Sequence, residues 1–394
     1  MKFRVSFGLR AHEYSEEEIA QVVAIMRDKA PLTQGRYLAE FEAKFRGFAD
    51  SKYAFAVNSA TSGLEIAAQL CQLDAGDEVI IPAHTYTSSA YPFVKTGASI
   101  VWSDIEPDTR VISAETIAKC LSSKSRVLVV PHLYGYGADM PSIMSLASKH
   151  NLIVVEDAAQ AAGVKINDRM AGSFGDLGVY SFHSHKNVTT FGEGGMLVVK
   201  DREIAEKVPM LRHNGHQPYS ADRPDYWIPA MTDVVLPSLH GKSIWPINAC
   251  LNEASCALGI RLLDRVDQIN KEKRTRALKV IDQLAECSEL SFHREGSERH
   301  NYYLLAAEMQ PRLRDRFIRR MAGHHRIQCV VQYYPLNRYP FYRDLGFGDA
   351  HVPNTDKFFD NMVSFPFSRL LRDEEIDAVV AATKETVRHL RRSK

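Results

Sequence analysis

Apolar segments of strand length alternate with amphipathic segments of helical length along the first half of the chain. The first amphipathic segment follows a capping box at residues 15–18, and the second places Leu38, Phe41 and Phe45 on one helical face. The apolar segments predicted to form strands are 53–57, 78–82, 99–102, 126–131 and 152–156. The segments predicted to form helices between them are 62–73, 86–96, 114–121 and 141–150. This alternation predicts a mostly parallel sheet flanked by helices.

The pattern changes in the second half of the chain. Residues 214–246 are rich in Pro, Tyr, Trp and His without periodicity, which predicts a long functional loop. A long helix is predicted over 249–273, and the elements predicted after it are helices 275–287, 313–323 and 374–390 and strands 301–307 and 328–334. We therefore predict a large α/β domain over 1–246, which includes the N-terminal helix, and a smaller α+β domain over 247–394.

Polar residues follow the predicted strands, at the carboxyl ends where parallel sheets bind ligands. These polar segments are 58–61, 83–86, 132–135 and 157–160. A metal site is one alternative, because four histidines lie near strand ends: His84, His132, His183 and His185. No HxxxH or HxH pattern there has a convincing carboxylate partner, so we predict no metal.

Lys186 lies between a hydroxyl-bearing turn and the glycine-rich turn 192–195, and apolar segments flank both turns. Desolvation in a cleft lowers the pKa of a lysine and frees its amine for imine chemistry. We predict that Lys186 carries a covalently bound aldehyde cofactor. The glycines lack GxGxxG spacing and the chain has no P-loop, so a nucleotide-binding loop is not indicated.

Asp157 is predicted to end a buried strand, where a carboxylate needs a cationic partner to stay charged. A protonated pyridine nitrogen is such a partner, and the pair makes the ring an electron sink. Gln160 can donate a hydrogen bond to the phenolic oxygen of the same ring. A helix N-cap is the alternative role for Asp157, and the presence of Lys186 makes that alternative the less favoured one.

Segment 58–64 joins a predicted strand to a helix through small residues, so its backbone amides and the helix N-terminus can hold a phosphate. A plain helix cap explains this segment equally well. Ser181 can give a hydroxyl to the same phosphate. Tyr86 is placed to stack on an aromatic ring, and an ordinary core position is its alternative.

Composition and charge limit the classes of protein to which this sequence can belong. The 394 residues are 45% hydrophobic and 25% charged, with a formal net charge of +1, which gives no electrostatic case for nucleic acid or an anionic membrane as partner. Six scattered cysteines without a CxxC pair indicate reduced thiols. The start lacks the apolar core of a signal peptide, and no apolar run reaches the ~20 residues that span a bilayer. We expect a soluble, cytoplasmic protein.

These segments together resemble the DegT/DnrJ/EryC1/StrS family of pyridoxal-phosphate-dependent sugar aminotransferases, over nearly the whole chain. The motifs that carry the resemblance are Leu32-Thr33-Gln34-Gly35, Ser59-Ala60-Thr61-Ser62-Gly63-Leu64, Glu156-Asp157-Ala158-Ala159-Gln160, Ser181-Phe182-His183 with Lys186, Gly192-Glu193-Gly194-Gly195, Leu211-Arg212-His213-Asn214-Gly215 and Tyr333-Tyr334-Pro335-Leu336. The third, fourth and fifth of these are the most specific.

The resemblance implies an aspartate-aminotransferase-like fold (fold type I), with active sites at a homodimer interface. It implies pyridoxal 5′-phosphate as cofactor, with the pyridoxamine form in the second half-reaction. Lys186 would form the internal aldimine, Asp157 would pair with the pyridine nitrogen and Gln160 with the ring hydroxyl. The remaining implied contacts are Tyr86 on the ring face and, at the phosphate, Ala60, Thr61, Ser181 and Asn248 of the partner subunit.

The sequence departs from the family pattern where substrate would bind. Ala60 replaces the usual glycine, which a backbone-amide contact tolerates. Ala249-Cys250 follow Asn248 where the family often has an aromatic residue and an arginine, and the loop 217–245 is long. Asn337 occupies a position where histidine is common. With Thr33 and His183, it is a candidate for substrate contact.

The resemblance implies transfer of an amino group from L-glutamate or L-glutamine to a keto sugar, with a nucleotide-linked sugar favoured, for amino-sugar biosynthesis. The same chemistry on a keto cyclitol or an aminoshikimate-type carbocycle is an alternative. A sugar dehydratase of the family is another, although such enzymes typically carry histidine at the position of Lys186. The remote alternative is a non-catalytic regulatory protein with the same fold.

Overall fold

The computed structural model describes residues 2–8, 13–217 and 232–392. The α-helices in these residues are α1 (Glu16–Arg27), α2 (Arg36–Ala49), α3 (Ala60–Leu70), α4 (Tyr91–Val94), α5 (Ala114–Ala118), α6 (Met140–Lys149), α7 (Arg202–Ala205), α8 (Val208–Arg212), α9 (Glu253–Leu263), α10 (Val266–Gln283), α11 (Arg314–Gly323), α12 (Pro340–Asp344), α13 (Pro353–Asn361) and α14 (Asp373–Arg392). Short 3-10 helices cover Thr87–Ser89, Leu133–Gly135 and Leu336–Arg338. The strands are β1 (Tyr53–Val57), β2 (Glu78–Pro82), β3 (Ser99–Ser103), β4 (Ser125–Pro131), β5 (Ile153–Asp157), β6 (Lys165–Ile166), β7 (Arg169–Met170), β8 (Leu177–Ser181), β9 (Gly195–Val199), β10 (Ser238–Leu239), β11 (Lys242–Ser243), β12 (Leu290–Phe292), β13 (Leu305–Met309) and β14 (Met362–Phe365).

The main sheet of the described residues has seven strands in the order β1-β9-β8-β5-β4-β2-β3. Its strands from β3 to β8 in that order are parallel, whereas β9 pairs antiparallel with both β8 and β1. Strand β1 therefore points the same way as β8. The carboxyl ends of β1, β2, β4, β5 and β8 consequently share one edge of the sheet. The predicted mostly parallel sheet with flanking helices is confirmed.

The central strands bury side chains on both faces of this sheet. In β2, Ile80 belongs to the apolar core on one face, whereas Val79 and Ile81 belong to the core on the other. Strand β4 repeats this division with Leu128 on the first face and Val127 on the second. Because helices cover both faces, these strands are apolar after their first one or two residues and lack a polar alternation.

A third apolar core lies in the C-terminal part, where α10, α11 and α14 pack with the three-stranded sheet β12-β13-β14. Val280, Phe317, Val363 and Val387 contribute to it from three helices and one strand. Helices α11 and α14 agree with their predicted positions to within two residues.

The predicted strand 328–334 is wrong. Within this segment Val330 pairs with Ser364 in an isolated bridge, and the chain then leaves the sheet toward Pro335, which has no backbone N–H to continue a ladder. The strand that completes the small sheet is β14, which follows α13 directly and pairs with β13.

Three predicted helices have different limits in the structure, and the one predicted over 275–287 is the second part of α10, which ends at Gln283. The helix predicted over 249–273 is divided, because α9 ends at Leu263 and α10 runs from Val266 to Gln283. At the break, the N–H of Asp264 donates to Arg261 and that of Arg265 to Leu262, which tightens the last turn of α9 into a 3-10 turn. The helix predicted over 86–96 is likewise divided, into the 3-10 helix Thr87–Ser89 and α4.

The predicted loop 214–246 contains the short hairpin β10–β11. Residues 218–231 of the predicted loop 214–246 lie outside the described residues. Beyond the loop, α9 packs on α2, with Gly259 so close to Phe41 that a Cβ would meet its ring at 2.5 Å. The boundary at 246/247 stays a prediction. None of the described helices is both long and apolar enough to cross a membrane.

Candidate active site

A cleft of about 300 Å³ opens at the sheet edge where β1, β2, β4, β5 and β8 end. Segments that follow those strands form most of its wall, and Tyr303, Gln332 and Tyr333 close it from the C-terminal part. The wall contains these residues predicted from the sequence: Ala60, Thr61, Tyr86, Asp157, Gln160, Ser181, His183 and Lys186. Because parallel strand ends share an edge, segments far apart in the sequence meet here.

Lys186 lies in the loop 182–194, which connects the antiparallel neighbours β8 and β9. Backbone hydrogen bonds fold this loop on itself, including one from the N–H of Lys186 to the carbonyl of His183 at 2.8 Å. The Nζ of Lys186 lies 4.5 Å from the centre of the Tyr303 ring. It forms no ion pair with a carboxylate of the described residues. Its amine therefore faces the cleft without a competing anion.

Asp157 ends β5 and is 8% exposed. Its Oδ2 accepts a hydrogen bond from Ser89 Oγ at 2.6 Å, and its Oδ1 accepts one from the N–H of Ala159 at 3.1 Å. Both donors are neutral, so the Asp157 carboxylate can still form an ion pair with a cationic group in the cleft. Turns rather than a helix follow Asp157 in the described chain, so the alternative N-cap role is wrong.

The N-terminus of α3 forms another part of the wall. Ser59 caps this helix by accepting a hydrogen bond from the N–H of Ser62, and Thr61 Oγ1 lies 2.9 Å from Ser88 Oγ. Gly195, at the start of β9, approaches so closely that a Cβ there would lie 2.7 Å from the Ala60 nitrogen. The first amides of a helix have no intrahelical acceptor, so these amides and hydroxyls are available to an anion.

Gln160 and Tyr86 occupy different depths of the cleft. The Oε1 of Gln160 accepts a hydrogen bond from the N–H of Tyr134 at 2.7 Å, and its Nε2 lies 3.1 Å from the Tyr333 hydroxyl. These bonds hold the amide in place. Tyr86 is 52% exposed at the mouth, with its ring edge-on to Tyr333.

Histidines near the cleft are engaged in hydrogen bonds within the protein. The Nδ1 of His132 accepts from the N–H of Ala138, so its Nε2 carries the proton and donates to Glu156 at 2.9 Å. Burial lowers the pKa of His84 to about 3, with a further contribution from the charge of Arg110, so this imidazole is neutral. The Nε2 of His84 lies 2.7 Å from the Tyr134 hydroxyl, so both imidazoles have hydrogen-bond partners among the described residues.

Three sequence-predicted residues are not in the wall of the cleft. Thr33 is exposed and bridges to Asn252, and Asn248 is exposed two residues after the predicted loop 214–246. Asn337 is buried, and its Oδ1 has no hydrogen-bond partner among the described residues. Sequence reasoning in turn missed Tyr303, which no local motif marks.

Comparison with known proteins identifies the family. A model of the DegT/DnrJ/EryC1/StrS aminotransferase family matches residues 12–384. The chain belongs to this family. This aminotransferase is 29% identical over 384 residues to the spore coat polysaccharide biosynthesis protein SpsC of Bacillus subtilis, with 95% of each chain covered. It is 29% identical over 359 residues to the GDP-perosamine synthase of Caulobacter vibrioides, with 90% of this chain and 91% of that one covered.

A solved structure supports the same conclusion about the fold. The aminotransferase from Psychrobacter cryohalolentis superposes with a TM-score of 0.86 at 28% identity, covering 98% of this chain and 100% of that one. The predicted fold type I is confirmed. As a member of its family, the aminotransferase depends on pyridoxal 5′-phosphate.

The residues in the cleft fit this cofactor. Its ring nitrogen is cationic when protonated and needs a carboxylate such as that of Asp157, which neutral donors alone contact. Its phosphate needs amides and hydroxyls, which the start of α3 and Ser181 present. Its aldehyde needs an amine without an ion-pair partner, and Lys186 provides one within the same wall.

Proposed function

We propose that this aminotransferase transfers an amino group from L-glutamate or L-glutamine to a nucleotide-linked keto sugar, as a step in amino-sugar biosynthesis. The observation that carries the proposal is the joint placement of the Lys186 amine and the Asp157 carboxylate in one cleft. The relative named GDP-perosamine synthase supports a nucleotide-linked sugar, and the relative SpsC supports a role in polysaccharide biosynthesis.

We assign a separate role in the reaction to each of several residues of the cleft. Pyridoxal 5′-phosphate, when bound, supplies an aldehyde that condenses with amines and a ring that accepts electrons. Asp157 holds the proton on the ring nitrogen, while Ser89 and Ala159 hold the carboxylate in place. With the cofactor bound, the free Lys186 amine would take the proton from the donor α-carbon, and in the second half-reaction it would deliver a proton to the sugar carbon.

Binding of the cofactor rests on further residues of the same wall. We assign the phosphate to the amides of Ala60 and Thr61 and the hydroxyl of Ser181. Gln160 is assigned to the ring hydroxyl, and Tyr86, at the mouth, to the ring face. Each of these residues is in contact with the cleft.

Substrate contacts and the oligomer extend the proposal. Thr33, His183 and Asn337 are our candidates for the sugar, and His183 faces the cleft with its Nε2 3.9 Å from Glu193 Oε1. The side chain of Asn248 is exposed, as expected of a residue that serves a neighbouring subunit. We therefore propose a homodimer in which Asn248 of the partner subunit reaches the phosphate.

Replacement of Lys186 tests the central assignment. Lys186→Ala should abolish the visible absorbance of the lysine-bound cofactor and stop turnover, because no other amine replaces it. Spectroscopy of the purified enzyme and an assay of both half-reactions measure the two effects. The matched control is Lys200→Ala, which removes an exposed lysine just after β9 and should change neither. Undiminished turnover in Lys186→Ala would refute the assignment.

A substrate panel tests the acceptor. The enzyme is first converted to its pyridoxamine form, and each candidate acceptor is then added while the visible band of the lysine-bound cofactor is followed. We expect nucleotide-linked keto sugars to restore the band faster than free keto sugars or keto cyclitols. If the band returns faster with keto cyclitols, the acceptor is a carbocycle instead of a sugar, and the proposed amino transfer is unchanged.

A further inference from the structure

A second lysine lies buried behind the candidate active site. Lys273, in α10, is 4% exposed, and it forms no ion pair with a carboxylate of the described residues. Burial lowers its pKa to about 7. An ammonium group without an anionic partner is costly to bury. The groups that it contacts therefore indicate why it is there.

Two oxygen atoms hold the Lys273 ammonium. Its Nζ donates to Asn187 Oδ1 at 2.8 Å and to the backbone carbonyl of Tyr303 at 3.0 Å. Asn187 directly follows Lys186 in the chain, and the Tyr303 ring faces the Lys186 Nζ at 4.5 Å. Lys273 thus binds the sequence neighbour of Lys186 and also the residue whose ring contacts its amine.

The same hydrogen bonds belong to a larger buried network. The Nδ2 of Asn187 donates to Asn270 Oδ1 at 3.0 Å and, more weakly, to the carbonyl of Asn301 at 3.4 Å. Asn301 in turn donates to the carbonyl of Gln160 at 3.0 Å. The network therefore connects the segment that carries Lys186 with the segment that carries Gln160. Buried polar networks whose members are all paired restrict side chains to one arrangement.

We propose that Lys273 is a positioning residue for Lys186. Through Asn187 and Tyr303 it fixes the place and direction of the Lys186 amine relative to the cofactor and the substrate carbon. An apolar side chain of similar length would leave both oxygens unpaired, and Asn187 would keep only the hydrogen bonds of its Nδ2. The inference rests on the proposed role of Lys186, but not on the identity of the sugar.

The test compares Lys273→Met, Lys273→Arg and a control in the holoenzyme. The control is Lys44→Met, because Lys44 also donates to a backbone carbonyl, that of Ile260 at 2.7 Å, but does not line the cleft. Three quantities are measured: the visible circular dichroism of the bound cofactor, the single-turnover rate with L-glutamate and with L-glutamine, and the melting temperature. Circular dichroism needs no substrate and reports the orientation of the cofactor against the protein.

The expected results separate positioning from mere stabilisation. Lys273→Met should retain the cofactor, change its visible circular dichroism and lower the single-turnover rate on the order of 10- to 100-fold, because a small displacement of a reacting group is costly. Lys273→Arg, which keeps a cation and several hydrogen-bond donors, should partly restore the circular dichroism and the single-turnover rate of the wild type. Lys44→Met should match the wild type in both.

A second variant guards against a folding failure. Asn187→Ala keeps Lys273 and removes one of its two acceptors, so changes in the same direction are expected from it if Lys273→Met does not fold. Unchanged circular dichroism and rate in either folded variant would overturn the proposal, as would a lowered melting temperature alone. By contrast, a failure of every keto sugar with a normal donor half-reaction would overturn only the proposed acceptor.

Discussion

Among single residues, Asp157 is the carboxylate that we propose to pair with the ring nitrogen of the cofactor. Asp157→Asn keeps the size of the side chain but cannot stabilise a protonated ring nitrogen, so the donor half-reaction should slow by about 100-fold or more. The cofactor should still bind, because its phosphate contacts are unchanged. Single-turnover kinetics measure the rate. The control is Asp139→Asn, which alters the exposed N-cap of α6 away from the cleft wall and should leave the rate unchanged.

Lys273 also gives the stability of the fold a pH dependence. Its pKa is about 7 in the folded protein, below the ordinary 10.5, so the unfolded chain holds this proton more tightly. As the pH rises from about 7 toward 10.5, the unfolded state loses that advantage and the folded state gains stability. The free energy of unfolding of the wild type should therefore rise relative to that of Lys273→Met. Urea unfolding at both ends of this range measures the difference, and a constant difference would contradict a buried titrating amine.

At the scale of elements, α2 receives its N-terminal cap from another helix. Helix α2 has no side-chain cap of its own, and the carboxylate of Glu253 in α9, 2% exposed, accepts from the N–H groups of Gly35, Tyr37 and Leu38. Glu253→Gln should lower the free energy of unfolding by about 1–3 kcal/mol, because it removes a buried charge-assisted acceptor. Denaturant unfolding measures the loss. Glu203→Gln, at the exposed start of α7, should cost far less.

Helices and strands that a local sequence pattern marks could be predicted. Those that depend on contacts with residues far away in the sequence could not. The capping box at Ser15 marks the start of α1, and apolar segments mark the strands of the main sheet. Nothing local shows that 328–334 leaves the small sheet or that 362–365 completes it. The positions of strand-end residues such as Asp157 in the cleft could be predicted from the parallel topology. The position of Tyr303 could not, because tertiary packing alone brings it to Lys186.

At the scale of the whole molecule, shared active sites can be tested by complementation. If the chain forms the proposed homodimer, Lys186→Ala and Asn248→Ala subunits co-expressed with different tags would form heterodimers. If Asn248 serves the partner subunit's site, each heterodimer has one site with both native residues and regains activity that each homodimeric parent lacks. If Asn248 serves the site of its own subunit, no site is intact and activity does not return. Assays of doubly tag-purified dimers distinguish these results.

The loop that carries Lys186 begins and ends in one antiparallel pair, with Ser181 of β8 opposite Gly195 of β9. Its length can therefore change without shifting the register of any strand, since the cost of a longer loop grows only slowly with length. Insertions at its outer turn leave both anchors in place. The loop 182–194 can therefore change around the lysine, by natural variation or by design, while the main sheet keeps its register.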